Sequence, residues 1–185
     1  MADSRLDGLF ISGFAGSLAK TSETTPQFPG QLGKVTGIRA GAGKATQFYQ
    51  YVKRYLTDSA TVAAGDLAYW QDVDDFVVSA ESTDAVGGTT DPLVAGIFVG
   101  AAVPVKGEYG YIQVGGRADA MVTDTGTAGG YLVPGSNTQL KAVATITTEG
   151  ASAPQIPRVA IALEAFETIT DTTKSVQLIV FRNGW

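Results

Sequence analysis

The chain has 185 residues, 44% of them hydrophobic and 17% charged, with a formal net charge of −5 and neither cysteine nor histidine. One domain, or one domain with an appendage, is expected at this length, and the hydrophobic content argues against disorder throughout. The two missing residue types exclude disulfide frameworks, thiolate nucleophiles, Cys- or His-ligated metals and Ser-His-Asp chemistry.

Residues 1–46 read differently from the rest. Glycines recur from Gly8 to Gly43 with Pro26 and Pro29 among them, and apolar residues come singly or in clumps such as Leu9-Phe10-Ile11. No periodic stripe is present to build a core. The segment is expected to be an extended arm that packs on its own domain or on a neighbouring subunit, with Leu9, Phe10, Ile11 and Phe14 as apolar anchors. Gly41-Ala42-Gly43-Lys44 resembles the end of a phosphate loop. Ile38 stands where the first glycine of that loop belongs, and Ala45 follows the lysine where a hydroxyl must reach magnesium. A glycine-rich bend is the better reading.

The β domain is expected to span residues 47–185. In Gln47–Leu56 the apolar spacing suits a helix, whereas the aromatic and β-branched content suits a strand. The strand is preferred because everything after it reads as β. Gly65-Asp66 leads into Leu67–Trp70, Asp72–Asp75 form a turn, and Phe76-Val77-Val78 follow. The four acidic residues Asp66, Asp72, Asp74 and Asp75 offer oxygen ligands for a hard cation, but without the glycine and distal glutamate of an EF-hand loop. A solvated turn is expected instead. Leu93–Val103 is an almost unbroken apolar run broken by Gly96 and Gly100, as in a strand buried on both faces.

Lys106-Gly107 separates that run from Tyr109–Val114, and Gly115-Gly116 is expected to turn the chain into Arg117–Thr123. Tyr109 and Tyr111 share a strand face with Gln113, and Tyr49, Tyr51 and Tyr55 suggest a second stripe; such ladders suit protein interfaces or sugar binding. Leu140–Thr147, Arg158–Phe166 and Ser175–Arg182 each alternate with period 2. The pattern predicts an all-β protein, an antiparallel β-barrel or jelly-roll-like sandwich with an extended N-terminal arm. Glu164 and Glu167 are the carboxylates nearest to a glycosidase pair, yet nothing sets a second carboxylate against either. No enzyme activity, cofactor or metal is expected.

Acidic residues outnumber basic ones by 18 to 13, and cations occur only in short pairs such as Lys53-Arg54, so no nucleic-acid face is expected. No apolar stretch reaches about 18 residues and the first residues lead into no signal-peptide core, so neither membrane insertion nor export is expected. A protein made and kept in a cytosol, or assembled there, fits these features.

Gly65-Asp66-Leu67-Ala68-Tyr69-Trp70, Val94–Gly100 and Gly107-Glu108-Tyr109-Gly110-Tyr111-Ile112-Gln113-Val114-Gly115-Gly116 stand in this order. With Gly130-Tyr131-Leu132-Val133-Pro134-Gly135 and Val159–Ala165, they make residues 60–182 resemble the capsid decoration (cement) proteins of tailed bacteriophages. The resemblance implies a barrel or jelly-roll-like protein on the outer capsid surface of a virion, made in the host bacterial cytoplasm. It further implies bridging and stabilisation of major capsid protein subunits, self-association as a homotrimer or alternatively a homodimer, and no catalytic residues. The arm lies outside the likeness; from the residues themselves, Tyr109 and Tyr111 are expected, with the arm anchors, at an interface. A sugar- or receptor-binding module of a phage tail or cell surface is the alternative.

Overall fold

A computed structural model describes residues 32–39, 46–57, 59–88, 92–99, 104–135, 139–142, 158–167 and 172–179. They form ten strands and one short 3-10 turn at Ser82–Asp84, and the all-β expectation holds. The strands are β1 (Val35–Arg39), β2 (Thr46–Arg54), β3 (Leu67–Asp72), β4 (Val77–Ser79) and β5 (Val94–Phe98). They continue as β6 (Tyr109–Thr123), β7 (Tyr131–Pro134), β8 (Leu140–Ala142), β9 (Ala160–Ala162) and β10 (Thr172–Leu178).

Pairing closes the chain into a barrel. Around a first ring, β2 joins β4, β4 joins β3, β3 joins β5, β5 joins β6, and β6 returns to β2. Strands β7 to β10 close a second ring on the same β6, in the order β8, β7, β9, β10 and back to β6. The first ring uses β6 up to Gly115 and the second uses it from Gly116 onward. The expected antiparallel pairing needs one amendment, because β2–β4 and β6–β8 are parallel.

β6 also corrects the turn expected at Gly115-Gly116. The strand runs unbroken for 15 residues. Gly116 sits at φ +85°, and a side chain there would run into the Thr46 carbonyl. The glycine lets one strand change rings while β2 crosses closely above it.

The two rings repeat one connectivity. Each opens with a strand, adds a hairpin whose second strand runs parallel to the first, and closes with two antiparallel strands. Local hydrogen bonds repeat as well. The Gly65 amide donates to the Phe98 carbonyl and the Gly129 amide to the Ala162 carbonyl, both at 2.8 Å. Phe98 and Ala162 donate back to the Asp66 and Gly130 carbonyls, both at 2.9 Å. Gly65 and Gly129 have positive φ, +98° and +82°, as the tight entry into β3 and β7 requires.

Inside the first ring lie Val52, Ala68, Trp70, Val78, Phe98 and Ile112. All five residues of β5 are buried, as the unbroken apolar run predicts. The second cluster contains Ala118, Ala120, Val122, Leu132, Ala160 and Val176 of the second ring, and it reaches Leu67, Tyr69, Val94 and Ile97 on the first ring's outer wall. Those outer-wall residues seal the first ring against the second.

Of the expected arm, residues 32–39 are a turn followed by β1, which lies antiparallel on β2 with Val35 opposite Gln50 and Arg39 opposite Thr46. Residues 1–31 and 40–45 are outside the described residues, and with them Leu9, Phe10, Ile11, Phe14 and the Gly41–Lys44 bend.

Candidate interaction surface

β2 and β6 cross with Tyr51 opposite Tyr111, Tyr49 opposite Gln113 and Lys53 opposite Tyr109. Because strand side chains alternate, these six share the outward face of the first ring. Tyr49, Tyr51 and Tyr111 form a buried aromatic cluster with Leu32, Val99 and Tyr109 packed against it. The Tyr51 and Tyr111 ring centroids are 4.8 Å apart, Tyr51 stacks on Tyr109 at 6.3 Å, and the Lys53 ammonium lies 5.6 Å from the Tyr109 ring centre. The two tyrosine stripes of the sequence are therefore one ladder. Tyr55 lies beyond the end of β2, where its amide donates to the Val78 carbonyl.

Burial governs the chemistry of this ladder. It raises the Tyr111 hydroxyl to about 12, with a smaller contribution from Tyr51, and also raises Tyr49. Of the two tyrosines expected at an interface, Tyr111 is only 6% exposed and Tyr109 is half-buried. Tyr109 and its Lys53 partner form the accessible end.

Where the rings meet, an open cleft of about 650 Å³ is lined by Gln47, Tyr49, Gln113, Arg117, Asp119 and Ser175, among others. The Arg117 guanidinium donates to the Ser175 hydroxyl at 3.3 Å, which donates to Asp119 Oδ1 at 3.0 Å. The Arg117 carbonyl accepts from the side-chain amides of Gln47 at 2.7 Å and Gln113 at 2.8 Å. The Ser175 hydroxyl is thus held between the Arg117 guanidinium and the Asp119 carboxylate. The sequence reading missed Arg117, Asp119 and Ser175, because they converge only through the β6–β10 register.

The remaining singled-out carboxylates serve their own neighbourhoods. Asp72 Oδ1 accepts the amides of Asp74 at 2.9 Å and Asp75 at 3.1 Å, closing the turn before β4. Asp66 Oδ2 accepts the Ala63 amide at 2.7 Å. Glu164 Oε1 accepts the Ser175 amide at 2.9 Å, while Glu167 is exposed. Among the described residues no group of three or more acidic side chains is placed to hold a metal ion, and no helix is long and apolar enough to cross a membrane. Comparison with protein-family models and with curated proteins finds no match to this chain.

Proposed function

We propose that the protein is a structural capsid decoration protein that binds the outer surface of a phage head, self-associates, and bridges and stabilises major capsid protein subunits. The observation carrying this reading is where the resembling segments fall: Leu67–Trp70, Val94–Phe98, Tyr109–Gly116, Tyr131–Pro134 and the strand at Ala160–Ala162 are barrel walls in both rings. Largely buried, hydrogen-bonded walls suit a clamp that bears load. The half-buried Tyr109–Lys53 pair adds an amphipathic contact of the kind enriched in interfaces. In this reading the protein has no catalytic role, takes no cofactor and contacts neither nucleic acid nor membrane.

The experiment is cosedimentation of the purified protein with empty shells of the major capsid protein from the same phage. Saturable retention, with raised thermal stability of the shells, is expected. A protein left entirely in the supernatant sinks the decoration reading. The polar cleft beside Tyr49 favours sugar or receptor binding as the second reading, and glycan-array binding lost on Tyr109→Ala or Arg117→Ala would select it.

A further inference from the structure

Tyr131, Ile161, Gln177 and Arg117 are successive cross-strand neighbours on the outer wall of the second ring. The first ring carries the same row in the same order: Leu67, Ile97, Gln113 and Tyr49. The first row is sealed, with Leu67 and Ile97 both 0% exposed and packed in one cluster with residues of the second ring. The second row is open at its apolar end. Tyr131 is 41% exposed, and on the same wall Leu163 and Ile179, flanking the Ile161 row on either side, are 44% and 40% exposed. Leu163 and Ile179 are held to the same wall through backbone hydrogen bonds to Ser175 and Val159.

We propose that this open row is a self-association surface on which a second copy of the chain sits, the two β7–β9 walls facing each other about a two-fold axis near Ile161. The inference rests on the reading that the chain self-associates, and of the two expected states it selects the homodimer. The occupant is argued from two observations. The equivalent row in the first ring is covered by another ring of the same design, so a wall of this shape already packs against a barrel of this chain. The charges around the row are also self-complementary. Arg158 precedes Ile161 by as many residues as Glu164 follows it, so antiparallel apposition brings Arg158 of each copy to Glu164 of the other.

Both groups are poised for that contact. The Arg158 guanidinium lies over the Tyr131 ring, 4.4 Å from its centre, at the exposed end of the row, where its N–H groups can donate to a carboxylate. Glu164 uses Oε1 for the Ser175 amide, and its second oxygen is available to a guanidinium. A two-fold contact also closes on itself, whereas a head-to-tail contact must form a ring or propagate into fibres.

Sedimentation velocity of the full chain at micromolar concentration tests this. A dimer is expected, with the dissociation constant raised roughly tenfold to a hundredfold by Leu163→Glu, which puts a charge into the apolar part of the contact. Arg158→Glu and Glu164→Arg should each weaken the dimer, and the double charge swap should recover most of the loss. Fluorescence of the buried Trp70 reports that each variant is folded. A monomeric or trimeric wild type overturns the proposal, and so does a dimer indifferent to Leu163→Glu or a double swap no better than the worse single variant. Shell binding is scored separately: dimerisation through this wall without cosedimentation defeats the decoration reading alone.

Discussion

The two rings have one connectivity and share a strand, yet their equivalent outer positions carry opposite chemistry. Where the first ring places Tyr49, Tyr51 and Tyr111, the second places Arg117, Asp119 and Ser175. The first set is buried and aromatic; the second is a hydrogen-bonded polar cluster, with Arg117 and Asp119 exposed and Ser175 half-buried. The difference is one of neighbours. On the first ring Leu32, Val99 and Tyr109 pack against the tyrosines, β1 widens the sheet beside them, and the second ring seals the Leu67–Ile97 part of the same outer wall. Among the described residues the second ring has a neighbour on one side only, and there the same pleat is exposed.

The sharpest test of that contrast is the isoleucine pair. Ile97 and Ile161 hold equivalent sites, one fully buried between the rings and one half-buried on the open wall. Ile97→Ala should cost about 4 kcal/mol by loss of transfer energy and creation of a cavity. Ile161→Ala should cost about 1 kcal/mol, since water already wets that site. Urea unfolding followed by Trp70 fluorescence at nanomolar concentration keeps self-association out of the comparison. Equal costs would mean that the second wall is covered within the chain.

Three glycines grade the same idea through the backbone. Gly116→Ala combines a left-handed φ with collision against the β2 backbone and should cost about 3 kcal/mol or more. Gly65 and Gly129 are equivalents with similar positive φ, but a Cβ at Gly65 would meet the Met121 amide nitrogen at 3.2 Å, whereas one at Gly129 meets nothing within 4 Å. Gly65→Ala should therefore cost about 2 kcal/mol and Gly129→Ala about 1 kcal/mol, the bare conformational term. Thermal unfolding should rank the three variants in that order, and an inverted rank for the equivalent pair would break the equivalence.

Alkaline titration separates the rings by chemistry. The folded chain holds the Tyr111 proton up to about 12, whereas an unfolded tyrosine releases it near 10. The stabilisation from this raised value is fully present below about pH 10 and is lost as pH rises through the folded value. Tyr49 shifts in the same direction, also through burial. Tyr111→Phe should flatten the fall in stability above pH 10, whereas the equivalent Ser175→Ala should leave that slope unchanged. An unaltered slope in the phenylalanine variant would show that the cluster opens before it titrates.

Much of the fold was legible because its signals are local. Alternation in Ser175–Arg182 anticipated Val176 and Leu178 pointing inward, and the unbroken run after Leu93 anticipated β5 buried on both faces. The helical spacing in Gln47–Leu56 gave way to strand propensity because β2 is held by β1, β4 and β6 at once. Alternation could not say which side of the Arg158–Phe166 stretch faces in: the small residues Ala160 and Ala162 do, while the larger Ile161 and Leu163 point outward. The repeat escaped notice because few equivalent positions keep their residue; Gly65 with Gly129, Ile97 with Ile161, and Gln113 with Gln177 are among those that do. Gly115-Gly116 looked like a turn because a crossover between rings and a hairpin both call for a glycine with positive φ. The cleft was invisible for a related reason, since its members meet only through the register of β6 with β10 and β2.

The smallest expected effect completes the contrast. Ser175→Ala removes the acceptor of the Arg117 contact and the donor to Asp119. Both partners are exposed, so water can replace the hydroxyl, and the net cost should be about 0.5 kcal/mol. At the equivalent position of the first ring, Tyr111→Ala empties a packed aromatic site and should cost several-fold more. A Ser175→Ala cost near that of Tyr111→Ala, measured by the same urea titration, would mean that the polar cluster is buried when the protein is at work. That result would move the cleft from a wetted surface to an interface.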